Sequence, residues 1–257
     1  MLGQLISLNL FSFLLVFTRL GTAFALMPGF GSQQIPLTVR LVFALLVSFL
    51  VTPIVQPNLP VQPDQTSVLF LLISSEALIG AFFGIIPRIF MGALQTAGTL
   101  MAMMSSLANA FIQDPISEQQ SSVLSTFLST VAITLVFVTN VHYVMLAAVI
   151  DSYSLFVPAD GANIADMSDY VARRVADSFR LGVQIASPLI VAGLAYYLGL
   201  GIMGRLMPQL PVFFFGLPLQ IALQFWVMIL SLSTMMLVFL RFFESNLYDF
   251  TAAFGGG

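Results

Sequence analysis

The sequence predicts an all-α protein of the integral-membrane type, built from helical hairpins whose helices kink or break. Three observations lead there. The 257 residues are 59% hydrophobic and only 7% charged, against roughly 25% charged in a soluble domain, and so few charges cannot cover a globule of this size. The apolar residues gather into runs of about 20 or more, the length that crosses a bilayer. Short Pro, Gly and polar stretches separate those runs. No repeat at a fixed period and no second domain is visible, so residues 1–257 are expected to form one domain.

The runs follow in order. Residues 5–27 lack a basic residue before Arg19 and are too long for a signal-peptide core, so they are expected to be a retained first segment. The turn "MPGFGSQQIP" (27–36) leads to a second run, 37–56. "PIVQPNLPVQPDQ" (53–65) holds four prolines and ends it. Residues 67–112 are too long for one span, and Pro87-Arg88 divides them into 67–86 and 89–112. Two spans, one kinked helix and a hairpin all fit that division. The polar loop "DPISEQQSS" (114–122) precedes 123–150, and "VPADGANIADMSD" (157–169) precedes 182–203 and 212–240.

Residues 168–182 read as an amphipathic helix with Ser168 at its N-cap and Asp169 just behind. Asp169 and Arg173 stand i,i+4, as do Arg173 and Asp177. Val171, Val175 and Phe179 form its apolar stripe.

Charge and residue usage exclude several functions. All eight basic residues are Arg and the net charge is −3, which argues against nucleic acid. There is no Cys, so disulfides and thiolate chemistry are absent, and the lone His142 makes a histidine metal site improbable. No cofactor is expected. No Ser/His/Asp arrangement, HExxH or phosphate loop occurs, so enzyme function is not expected. "GLGIMG" (199–204) matches G-x-G-x-x-G but lies in an apolar helical run without the strand, helix and distant acidic residue that a dinucleotide site needs. Arg residues at 19, 40, 88, 173, 174, 180, 205 and 241 give no positive-inside bias, which suggests that packing with other proteins sets the final position.

A few residues stand out. Glu76 and Arg88 fall in or near apolar runs, where charges are costly and normally face protein or water. On a straight helix they lie about 18 Å and 120° apart and cannot pair. Arg19 or a neighbouring subunit is the candidate partner of Glu76. Such a pair, with Arg88, is expected to fix assembly, although Glu76 near a helix end could also reach solvent. "GAFFG" (Gly80–Gly84) is a small-x-x-x-small helix contact. Met101, Met103, Met104 and Phe111 cluster before a polar loop, as core filling or as pliable channel-sealing side chains. His142 is expected to be structural. In "RLMPQLPVFFFGLPLQI" (205–221), Pro208 and Pro211 stop one helix and Gly216-x-Pro218 restarts the next. Phe213, Phe214 and Phe215 sweep about 200° and are expected to pack in different directions at this elbow.

These residues together resemble the FliR family, the flagellar member of the FliR/SctT/SpaR group of type III secretion export-gate proteins. The resemblance rests on Arg19, Pro28, Phe30, Ile35, Pro36 and Arg40; on Glu76, Leu78, Ile79, Gly80 and Gly84; on Ala97-Gly98 and Asp114-Pro115; and on Arg205, Pro208, Gln209, Val212, Phe213, Gly216, Pro218 and Leu219. It spans essentially the whole chain. The chain departs from the family pattern before Asp114, where a Gly-rich run is usual, at Val141 before the histidine, at Pro211 for Asn and at Gln220 for Lys.

The resemblance implies a single structural subunit of a helical channel assembly, joined to FliP-like and FliQ-like subunits in the inner membrane at the flagellar basal body. It implies a FlhB-like partner on the cytoplasmic side and unfolded flagellar proteins as the cargo. It also implies that the loop at about 105–120 plugs the channel, which brings Met103, Met104, Phe111 and Ile112 forward as gating residues. Much of such a gate is held above the bilayer plane, so apolar runs need not all be spans. The same role in a virulence injectisome is the alternative. A small-solute transporter is a third reading, but neither a midplane polar site nor inverted repeats are visible.

Overall fold

A computed structural model describes residues 2–32, 35–105, 123–158, 164–207 and 212–254; for 2–9, 212–215 and 251–254 it describes the backbone alone. Among the described residues there are seven α-helices, one 3₁₀ turn and no strand: α1 Leu2–Leu26, α2 Leu37–Val55 with the turn Gln56–Asn58 after it, α3 Thr66–Met104, α4 Val123–Val138, α5 Val141–Leu155, α6 Ile164–Leu206 and α7 Val212–Phe254. The all-α expectation therefore holds. Four helical stretches are long and apolar enough to cross a membrane: Leu37–Asn58, Thr66–Met104, Ile164–Leu206 and Gly216–Phe250. The interrupted pair α4 and α5 adds a fifth if it forms one broken span.

Serine and threonine hydroxyls inside these helices rarely need water. Thr18 donates to the Leu14 carbonyl, Ser48 to Ala44, Thr52 to Ser48, Thr130 to Thr126 and Ser231 to Val227, at 2.6–2.8 Å. Each hydroxyl is thereby satisfied by the turn before it, which lets it sit in an apolar surrounding.

The described part of residues 67–112 resolves to one helix, which ends at Met104. α3 runs unbroken through Pro87 for 39 residues. Proline removes the bond to the carbonyl four residues back, but where no water competes for the freed groups such a helix persists. Conversely, 123–150 is not continuous. Asn140 takes φ 62°, a left-handed conformation that Asn tolerates better than branched residues do, and it separates α4 from α5.

α6 begins at Ile164, with Asp166 in its first turn. Ser168 is therefore inside the helix, donating to the Ala165 carbonyl at 2.8 Å, and is not an N-cap. The negative charge of Asp166 beside the helix N-terminus favours the earlier start. At the other end, α6 stops at Leu206 and α7 starts at Val212. The second helix thus begins before Gly216-x-Pro218, and Phe213–Phe215 occupy its first turn. Pro218, inside α7, withholds only the bond to the Phe214 carbonyl.

The chain folds as two compact units. The first comprises 1–89, 136–174 and 243–257. Its centre is lined by Leu15, Val16, Leu20, Ala23 and Phe24 of α1, with Phe82, Phe83 and Ile86 of α3. Two aromatic clusters extend it. Phe24, Phe30 and Phe43 cluster with centroids 5.3–5.7 Å apart, and Phe30 meets Phe137 at 5.6 Å. Phe83 meets Phe250 at 4.8 Å, and Tyr170 meets Phe250 at 5.5 Å. The turn after α1 needs Gly29, whose φ is +85° and whose missing side chain leaves room for the Phe137 ring.

The second unit comprises 90–135 and 175–242. Phe90, Leu94, Ala97 and Met101 of α3 pack with Leu128 and Ala132 of α4, Ile185 and Leu189 of α6, and Met235 and Phe239 of α7, all buried. Close approaches tighten it: a Cβ at Gly182 would stand 2.7 Å from the Ala93 carbonyl oxygen and 2.9 Å from Thr96. Ser125 donates to the Gln95 carbonyl at 3.0 Å, tying α4 to α3.

Candidate functional site

Among the described residues, each unit holds a buried polar constellation that interrupts the apolar packing. In the first unit α1 and α3 run parallel. Phe11 and Leu15 meet Leu72; Arg19 meets Glu76; Thr22 and the Arg19 carbonyl lie under Gly80; Ala23 and Leu26 lie at Gly84. Glu76, Gly80 and Gly84 recur every four residues and so share one face of α3. "GAFFG" is therefore a close helix contact, with no room for side chains between it and α1.

Arg19 and Glu76 are both fully buried. Arg19 Nε donates to Glu76 Oε2 at 2.7 Å and Nη2 to Oε1 at 2.8 Å, a two-pronged pairing. Nη1 donates to Ser152 Oγ at 3.0 Å, and Nη2 also donates to the Phe156 carbonyl at 2.8 Å. Ser152 Oγ in turn donates a hydrogen bond to the Val149 carbonyl at 2.6 Å. The guanidinium carbon lies 3.9 Å from the centre of the Tyr153 ring. One cation thus joins α1, α3 and the C-terminal end of α5. Removing two charges from water is costly, and only geometry this complete offsets it. The arrangement can hold helices in register; with the carboxylate neutralised by its partner, it offers no free acid or base.

Arg88 does not share this site. It is exposed on α3, separated from Glu76 by three turns of continuous helix. Arg173 pairs with Asp169 at 2.8 Å on the surface. Arg174 bonds to Asn246 Oδ1 and lies over the Tyr170 ring at 4.7 Å. Val175 and Phe179 of the expected stripe point away from the chain's own core.

In the second unit the end of α3 is clasped by α6 and α7. Gln220 Nε2 donates to the Met104 carbonyl at 2.7 Å and lies 2.9 Å from the Tyr197 hydroxyl. Gln224 Nε2 donates to the Leu189 carbonyl at 3.2 Å and reaches the same Met104 carbonyl at 3.5 Å. Both glutamines are buried. Gln220, which stands where the family pattern has Lys, is thus an internal helix cap. Met103 is exposed and Met104 half-buried.

Phe111, Ile112 and Pro208 lie outside the described residues, and of Phe213, Phe214 and Phe215 only the helical backbone is described. Gly216 is buried, accepting a hydrogen bond from the Tyr196 hydroxyl at 2.5 Å; Pro218 is exposed. His142 stacks on Phe137 at 4.8 Å. "GLGIMG" lies wholly within α6, its glycines open to the surface. No cluster of three metal-ligating side chains occurs among the described residues.

Sequence reasoning missed Ser152, the Phe156 carbonyl and the Tyr153 ring around Arg19. It also missed the two glutamines, although polar residues at i and i+4 in an otherwise apolar helix were a usable signal.

An all-helical membrane protein, with a buried ion pair that locks helices together and no reactive centre among its described residues, is the class that this fold and site define. The chain belongs to the bacterial export proteins, family 1, whose sequence model matches residues 10–246. It is 37% identical over 237 residues to the flagellar biosynthetic protein FliR of Caulobacter vibrioides, covering 92% of this chain and 94% of that protein. With the FliR of Bacillus subtilis it shares 29% over 231 residues, 88% of each chain. With the Yop proteins translocation protein T of Yersinia pestis it shares 24% over 242 residues, 92% and 91%. The resemblance to the FliR group read from the motifs is thereby shown.

Proposed function

We propose that the chain is a structural channel subunit of the flagellar type III export gate in the bacterial inner membrane, at the centre of the basal body. In this reading residues 1–257 act as one export-gate domain. The chain assembles with FliP-like and FliQ-like subunits, meets a FlhB-like protein on the cytoplasmic side, and lets unfolded flagellar proteins pass. It catalyses no reaction and carries no energy source; transport is driven elsewhere in the machine. The observation that carries the reading is the end-to-end similarity to FliR of Caulobacter vibrioides, 92% of this chain against 94% of that protein.

The surface supports an assembled state. α2 turns Leu46, Phe49, Leu50 and Ile54 outward, all at least 60% exposed, and so large an apolar face calls for lipid or protein cover. The role of Arg19 and Glu76 is to set α1, α3 and α5 in the one register that neighbouring subunits fit. Met103, Met104, Phe111 and Ile112 contribute to the plug. Arg88 and the elbow from Pro208 to Pro218 contribute to assembly.

Deleting the gene is expected to abolish swimming and filament export, and the tagged chain should co-purify with FliP-like and FliQ-like subunits. A detergent-solubilised chain that is a stable, fully active monomer would overturn the proposal. The flagellar form is favoured over an injectisome by the higher identity to FliR proteins, 37% against 24% for the Yersinia pestis relative. Loss of effector delivery into host cells with motility intact would reverse that preference.

A further inference from the structure

We propose that Gln220 and Gln224 are positioning residues of the gate, a latch that holds the end of α3 and the methionines it carries in the sealed arrangement. The inference rests on the reading of Met103 and Met104 as part of the channel plug.

The physical argument begins at the Met104 carbonyl. A helix leaves its last four carbonyls without intrahelical partners. Ser105 satisfies two of them: its N–H and Oγ reach the Met101 carbonyl at 3.0 and 2.9 Å, and Oγ also reaches Ala102 at 3.2 Å. The Met104 carbonyl is bonded by α7 instead, through Gln220 at 2.7 Å. Gln224, one turn further on, adds the 3.5 Å approach and ties the same point to the Leu189 carbonyl of α6. The packing leaves little slack. A Cβ at Gly193 would lie 2.9 Å from Gln224 Nε2 and 3.2 Å from Met104 Cβ.

These bonds differ from ordinary core packing in two ways. They join distant parts of the chain at one atom, so breaking them frees the helix end without removing apolar contacts. They also use the glutamines as donors; Gln224 Oε1 is buried and, among the described residues, makes no hydrogen bond. A residue that keeps a donor should therefore preserve the latch, and one of similar size without a donor should not.

The test uses the full export assembly in cells, with two readouts: ion leak across the inner membrane, and co-purification with FliP-like and FliQ-like subunits. The double variant Gln220→Leu, Gln224→Leu is expected to assemble and to leak at least about tenfold more, the factor that the loss of one hydrogen bond to a buried carbonyl is worth. Gln220→His, a neutral side chain whose Nε2–H stands about where the amide donor does, keeps a donor and should stay near the wild-type leak. An assembled double variant with unchanged leak overturns the latch, as does Gln220→His leaking as much as Gln220→Leu. Should the double variant not assemble, Gln220→Leu alone, which removes the 2.7 Å bond, decides: increased leak supports the latch and wild-type leak overturns it. A deletion strain that still exports flagellar protein defeats the channel reading and the latch together. Normal export and assembly with no effect of any variant on leak defeats the latch alone.

Discussion

Arg19 of α1 and Glu76 of α3 meet in the fully buried interior through two parallel hydrogen bonds, of 2.7 and 2.8 Å. Because the helices run parallel and step together every four residues, a slip of one turn would place both charges against apolar side chains. The pair therefore penalises wrong registers more than it stabilises the right one. Glu76→Ala or Arg19→Ala should destabilise the chain by about 3–5 kcal/mol, because each leaves an uncompensated buried charge. The double variant Arg19→Met, Glu76→Met should recover much of that loss. Arg19→Lys should not be silent, since an ammonium cannot reproduce the fork that reaches Glu76, Ser152 and Phe156 together. Thermal unfolding of the solubilised assembly measures all four, and a double variant as unstable as the singles would refute the register argument.

The glycines beside the pair make a second prediction. A Cβ at Gly84 would stand 2.6 Å from the Ala23 carbonyl oxygen and 3.0 Å from Leu26 Cβ. Both neighbours are fixed, one being backbone, so Gly84→Val must push α1 away from α3. The expected cost is about 1–3 kcal/mol from overpacking, with loss of membrane-integrated protein. Gly199→Ala is the control, since its Cβ would meet nothing within 4 Å. Pulse-chase half-lives compare the two; equal half-lives would show that the α1–α3 contact tolerates separation.

Which features the sequence disclosed follows from the range over which each is determined. The helical class was legible because apolar runs and their breakers are local. The Arg19–Glu76 pairing was partly legible, since charges in apolar runs must find partners and few were on offer. Ser152 and the Phe156 carbonyl were not, because a backbone oxygen carries no sequence signal and one serine resembles another. The continuity of α3 through Pro87 was ambiguous for the opposite reason: proline has a strong local tendency, and only the dry surroundings decide whether it prevails. The role of Gln220 was not legible because its partner, the Met104 carbonyl, lies 116 residues away.

Surface charge should matter little. Asp169 and Arg173 pair at 2.8 Å, but their side chains are 62% and 75% exposed. Solvent screens such a pair, and ordering two long side chains offsets the attraction. Asp169→Asn is expected to change stability by less than about 0.5 kcal/mol and to leave swimming unchanged. Motility in soft agar checks it. A swimming defect with wild-type chain stability would assign this turn of α6 to a partner contact instead.

The elbow between α6 and α7 makes contacts within the chain and, on the proposed function, contacts beyond it. Inside the chain, the Tyr196 hydroxyl donates to the Gly216 carbonyl at 2.5 Å, and a Cβ on Gly216 would lie 3.0 Å from Leu200. These hold the start of α7 to α6. Phe213, Phe214 and Phe215 fall in the first helical turn of α7, where three consecutive positions sweep about 200°. Tyr196→Phe should therefore cost about 1 kcal/mol, one hydrogen bond, and act on the chain's own stability. Phe214→Ala should spare that stability and weaken association with neighbouring subunits by about 2–4 kcal/mol, as expected for an aromatic anchor. Unfolding of the solubilised chain and its recovery with FliP-like subunits separate the two effects. If Phe214→Ala destabilises the lone chain as much as it weakens association, the ring packs within the chain and the elbow is not an assembly contact.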